Sequence, residues 1–290
     1  MTSVFMPIGR IVLPNHVVES TRSDQIDHPY GNARRVATLF ALRYPLGVSK
    51  AQTYVSYLAL DQVLSAQQPR SEEHDEMLFI IVHQVYELWF KELLHELTFL
   101  QRRLESGHTA HALATLKRIL TILKTVVAQV DVLETLTPTQ FLAFRSRLES
   151  ASGFESAQFR ALEATLGVSG KSAHGGMTVF DSYLRYLSKV GYTVPEELVN
   201  RDRSRPLQPS AATQLILLSV YHDDGEAAQV AERLVDLDEG FQEWRYRHLK
   251  MVERTIGDKP GTGGSSGADY LRRTLFQPAF PDLWAIRSRL

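Results

Sequence analysis

Two histidines in this 290-residue chain stand inside long apolar helical stretches. The first is His83, in residues 74–97, HDEMLFIIVHQVYELWFKELLHEL. Residues 77–82 form an unbroken apolar run and residues 85–90 are mostly apolar, so little of the middle is expected to face water. Phe79 and His83 are four apart and share a helix face. The ordinary fate of a lone histidine there is a hydrogen-bonded core position. An imidazole flanked by aromatic rings is alternatively the polar point of a pocket.

The second is His248. Phe241, Trp244, His248, Val252 and Ile256 follow one another in steps of three and four, and His248 is the polar member of that face. Core packing is one reading. The other is axial ligation of a haem iron, for which a single histidine on a rigid helix beside an aromatic wall is suited. Arg245, Arg247 and Arg254 are near in sequence and would either meet haem propionates or stay solvated.

Three further groups are weighed the same way. Arg145 lies between Phe144 and Leu148. Its planar, permanently charged fork suits a carboxylate, although most such arginines are surface residues. The loop GTGGSSG at residues 261–267 has four glycines in seven positions and could bring backbone N–H groups close to an anion. It lacks the Lys-Ser/Thr ending of a phosphate-binding loop and follows no strand. Glu92 and His95 match half of a di-iron bundle motif, but no second Glu-x-x-His pair exists in a long helix, and that site is rejected.

The elements that must carry these residues are helices. Tyr57, Leu60, Val63 and Leu64 give helical spacing within residues 54–67. The stretch containing His83 continues to about residue 104. A second long stripe, Leu113, Leu116, Leu120, Leu123, Val127 and Val130, ends near Leu136. Thr137-Pro138-Thr139-Gln140 is a capping box with proline at the first helical position, so a helix carrying Phe141, Phe144 and Arg145 starts at Pro138. Another helix is expected to end at Leu166, a short one over 180–190, and the last long one over 225–256 before Gly257. Residues 167–176, 200–210 and 261–267 read as loops. No strand pattern or internal repeat is visible. The expected class is all-α, a bundle of long antiparallel helices, with residues 1–50 as an N-terminal arm and 51–290 as one domain.

Composition excludes several classes. Lys plus Arg is 32 and Asp plus Glu is 33, so no basic excess points to nucleic acid. No apolar run approaches the roughly 20 residues of a membrane span, and Arg10 interrupts any signal-like start. A cytoplasmic location is expected. The chain has no cysteine, which removes disulfides, thiolate zinc and iron–sulfur sites and thiolate-ligated haem. A haem in this chain would take histidine.

Several segments, in order, resemble the tryptophan 2,3-dioxygenase family: TYVSYLALDQVLSAQQP, HDEMLFIIVHQVYELWFKELLHEL, VLETLTPTQFLAFR, SGFESAQFR, FQEWRYRHL and GTGGSSG, spanning roughly residues 53–267. The resemblance implies an all-α haem b enzyme, usually a homotetramer, that uses O2 on the indole of L-tryptophan or a close derivative. It implies His248 as the proximal iron ligand and His83 as the distal histidine that meets the indole N–H. It implies Phe79 against the indole, Arg145 on the carboxylate and Thr262 on the ammonium group. Ser152 falls at the haem edge, and Phe141 falls where relatives have Tyr or Phe. Tyr54 and Tyr57 match residues that reach into a neighbouring subunit's pocket.

Two departures bear on the reaction. Val55-Ser56 replaces a common Gly-Gly or Gly-Asn pair, and the stretch from 160 to 243 reads as shorter than in typical members. They give weight to an alternative, monooxygenation at indole C2 of tryptophan or β-methyltryptophan to an oxindole. A haem sensor without turnover would keep His248 but need neither Arg145 nor Thr262. An aromatic hydroxylase acting on tyrosine fits less well with His83, Phe79 and GTGGSSG together.

Overall fold

The structure, a computed structural model, describes residues 52–168, 176–202, 208–262 and 266–290. The expected arm over 1–50, most of the 167–176 loop and the centre of the glycine loop lie outside the described residues. The chain divides after Tyr57 into two units. In the first, helix α1 (Tyr54–Tyr57) is capped by Thr53, whose side chain and backbone exchange hydrogen bonds with Ser56.

The second unit begins with the short helix α2 (Leu60–Leu64), preceded by Ala59 in a left-handed conformation. The helical pattern expected through Gln67 therefore stops at Leu64. Helix α3 (His74–Glu105) follows. Its start is fixed by Glu76, whose carboxylate accepts hydrogen bonds from the backbone N–H groups of Arg70 and Ser71, both at 2.8 Å, and from the Ser71 hydroxyl. Val82, Tyr86, Phe90, Leu93, Leu97, Leu100 and Leu104 recur in steps of three and four and form its buried face. That face packs on α4 (Thr109–Ala128), α7 (Ala157–Leu166) and α8 (Val179–Lys189). Met77, Ile81 and Leu88 are exposed, at 39%, 43% and 56%. This corrects the expectation that the apolar run would be covered. The helix is apolar on more than one side, and its neighbours among the described residues cover only one.

The stripe expected to run unbroken to Leu136 is two helices, α4 and α5 (Val130–Leu133). At their junction Gln129 donates from Nε2 to the Val82 carbonyl at 3.0 Å and ties the bend to α3. Helix α6 (Pro138–Arg145) has the expected capping box, with Thr137 and Gln140 bonded reciprocally. Helix α7 is capped by Ser156, and α8 by a Thr178–Asp181 box. Two helices were not expected, α9 (Glu196–Val199) and α10 (Ala211–His222). The α10 segment TQLILLSVY is apolar all round, so it shows no period to read. It packs on α11 (Glu226–Ile256) and α13 (Pro281–Ala285), which follows α12 (Ala268–Thr274).

Helix α11 crosses α4 closely. A Cβ added at Gly240 would stand 2.9 Å from Leu123 Cδ2, so glycine permits the approach. The described residues contain helices and no strand, and the molecule is all-α.

Candidate functional site

Helix α3 brings Phe79 and His83 to one place, and α6 brings Phe141 and Phe144 against them. The Phe79 ring centroid lies 4.1 Å from that of His83, 5.7 Å from Phe141 and 5.6 Å from Phe144. Leu136, Leu148 and Ile256 pack around this cluster. Ile256 is the last residue of α11, so the cluster joins α3, α6 and α11.

His83 places Nδ1 2.7 Å from the Phe79 carbonyl oxygen. A carbonyl can only accept, so Nδ1 carries the proton and Nε2 of the neutral ring keeps a lone pair. Burial pushes this imidazole below its ordinary pKa, and the pull of the Phe79 carbonyl and of Glu87 does not offset it. The ring is neutral at pH 7 and offers an acceptor at Nε2.

His248 lies one turn beyond Trp244 on α11, and the two rings are nearly parallel, at 9° and 5.1 Å. Burial, with a smaller contribution from the charge of His83, lowers the His248 pKa to about 4. The two histidines thus sit close enough to influence each other electrostatically. Although His248 keeps some accessible surface, its ring is deep enough for desolvation to dominate. Neither ring nitrogen has a hydrogen-bond partner among the described residues.

Arg145 is half-buried at the end of α6 and donates from Nη2 to the Pro260 carbonyl. It makes no ion pair among the described residues, so its charge is uncompensated there. Thr262 donates its hydroxyl to the Ala151 carbonyl at 2.7 Å. These two bonds join the loop after α11 to the end of α6 and the segment that follows it. Ser152, next to Ala151, is half-buried. Tyr54 and Tyr57, in the first unit, are 69% and 70% exposed.

The three arginines near His248 have other partners. Arg245 is buried, paired with Glu163 at 2.6 Å and bonded to the Thr274 carbonyl, with its guanidinium over the Phe241 ring. Arg247 pairs with Asp131 at 2.5 Å and Glu134 at 3.3 Å, and Arg254 lies 3.7 Å from Glu134. For Arg245 and Arg247 the expectation that they would either meet propionates or be solvated is corrected, since each is engaged by an acidic residue of a neighbouring helix or turn. Arg254, 64% exposed, is largely solvated, one of the two expected outcomes.

Phe144, Glu87 and Gln129 were not among the expected site residues. Phe144 follows Phe141 by three and Glu87 follows His83 by four, so helical spacing could have found both. The bond from Gln129 to Val82 spans 47 residues, and no local pattern reports it.

The family model described as tryptophan 2,3-dioxygenase matches residues 45–183 and 187–290. A protein of Anaeromyxobacter sp. (strain K) named tryptophan 2,3-dioxygenase is 63% identical over 263 residues, covering 85% of this chain and 99% of that relative. One from Herpetosiphon aurantiacus, with the same name, is 54% identical over 84% of this chain and 100% of its own length. Another of that name, from Caulobacter vibrioides, is 41% identical with the same coverage. Membership therefore rests on matches that run through α3, α6 and α11, the helices that carry the site. The chain belongs to the tryptophan 2,3-dioxygenase family.

Proposed function

We propose that this protein is a haem-dependent tryptophan 2,3-dioxygenase that inserts both atoms of O2 at indole C2 and C3 of L-tryptophan to give N-formylkynurenine. The observation that carries this reading is the pair of neutral imidazoles on α3 and α11, one with a free acceptor nitrogen and the other with no hydrogen-bonded partner. A neutral imidazole of that kind suits a haem iron, and the absence of cysteine leaves no thiolate alternative. His248 would hold haem b through its iron, and Ser152 would lie near the cofactor. When bound, the haem supplies the iron at which O2 is activated.

The chain's own residues bind and orient the amino acid. Arg145 exchanges its bond to the Pro260 carbonyl for a charge-assisted pair with the substrate carboxylate. The Thr262 hydroxyl can keep donating to Ala151 while its lone pairs accept from the ammonium group. His83 accepts the indole N–H at Nε2, and Phe79 and Phe141 wall the ring. Tyr54 and Tyr57 complete a neighbouring subunit's pocket in a homotetramer, and the enzyme acts in the cytoplasm.

Oxindole formation is not favoured. The Anaeromyxobacter relative, aligned over 263 residues and 99% of its own length, is named a dioxygenase.

Haem content of purified variants tests the assignment. His248→Ala is expected to lose haem, and His83→Ala to keep haem but lose turnover. Full haem in the first variant would contradict the axial role. Arg145→Ala is expected to cost about 2–5 kcal/mol in kcat/KM, the usual cost of leaving a bound charge unpaired, without changing the haem spectrum.

A further inference from the structure

A metal-bound histidine ordinarily has its second ring nitrogen held by a carboxylate, a carbonyl or water, which fixes the ring plane. His248 has no such partner among the described residues. Its ring is instead stacked on Trp244, 5.1 Å away and 9° from parallel. We propose that Trp244 is the positioning residue for His248, setting the imidazole plane by stacking. This inference rests on the proposed role of His248 as the haem ligand.

Trp244 is itself unable to turn. Phe159 lies 4.8 Å from it, Phe241 is roughly parallel at 6.3 Å, and Phe90 meets it edge-on at 6.2 Å. These rings come from α3, α7 and α11. The indole N–H lies beside the Tyr86 hydroxyl, which itself donates to the Val126 carbonyl at 3.3 Å. Arg245, the neighbour of Trp244 on α11, is anchored to Glu163 and Thr274, so the backbone beneath the stack is held as well.

The test uses the full-length, haem-loaded protein and two variants, Trp244→Phe and Trp244→Leu. The readouts are the iron–histidine stretching band of the ferrous protein by resonance Raman and the rate of haem transfer to apomyoglobin. Trp244→Leu is expected to broaden and shift the band and to speed haem loss roughly three- to tenfold, the worth of one aromatic pair. Trp244→Phe keeps a ring face, so it is expected to fold and to recover most of the native band. Identical band and loss rate in wild type and Trp244→Leu would overturn the proposal. Should Trp244→Leu fail to fold, a Trp244→Phe band as displaced as that of free imidazole-ligated haem would overturn it equally. A wild-type protein with no iron–histidine band would instead remove the ligand assignment itself.

Discussion

Phe144 is fully buried beneath Phe79 and Phe141, and it shows how the site is built at the scale of single residues. It faces the same cluster that holds the Phe79 ring beside His83. Truncating Phe144 to Ala is expected to cost about 3–5 kcal/mol of stability, measured by urea unfolding, and to loosen Phe79 enough to raise KM for tryptophan. A cost below about 1 kcal/mol would mean that the cluster collapses into the space. The helical faces that carry Phe79 and His83, and Trp244 and His248, were legible in the sequence from spacing alone. The engagement of Arg145 with Pro260, of Thr262 with Ala151 and of Arg247 with Asp131 was not legible. Those bonds join positions more than a hundred residues apart, and only the fold sets them side by side.

At the scale of elements, the ends of the helices decide how firmly the site residues are held. The first turn of helix α3 holds Glu76, nine-tenths or more removed from solvent and bonded to the Arg70 and Ser71 backbone. Burial alone would raise the pKa of its carboxyl. The bonds from the Ser71 side chain and the two backbone N–H groups, with the charge of Arg70, outweigh it and hold the group below its ordinary 4.5. A carboxyl whose folded pKa is depressed contributes stability that is present above the unfolded value and is lost as pH falls through the folded one. Glu76→Gln is therefore expected to be less stable than wild type at pH 7, with the difference shrinking below about pH 4.5. A difference independent of pH in thermal melts would show that the carboxylate charge has no part. The capping boxes of α6 and the glycine stop of α11 could be read from local residues. Helix α10 could not, because it carries apolar residues on every side although only Thr213, Leu217 and Val220 are buried.

For the whole molecule, the long helices are closed at the C-terminal end by Asp238 of α11. Its buried carboxylate accepts from the backbone N–H groups of Ala279 and Phe280, from the Trp284 indole and from Gln242. Asp238→Ala leaves these donors unpaired and is expected to cost at least about 2–3 kcal/mol; protease sensitivity in the last fifteen or so residues, read by mass spectrometry, would accompany it. Unchanged stability and cleavage would mean that water replaces the carboxylate. The all-α class and the placement of both histidines on long helices were readable from periodicity. The exposed Met77, Ile81 and Leu88 were not, since a single sequence does not say which side of an apolar helix its own chain will cover. Such a stripe, with exposed Tyr54 and Tyr57, fits the proposed tetramer, for which light scattering should give four times the 32.8 kDa chain mass. The most direct test of the enzyme's identity is the mass of the product formed when ferrous, haem-loaded protein meets L-tryptophan and labelled O2. Two labelled oxygens in N-formylkynurenine are expected. A single labelled oxygen, or no product from tryptophan, would contradict the proposed dioxygenation.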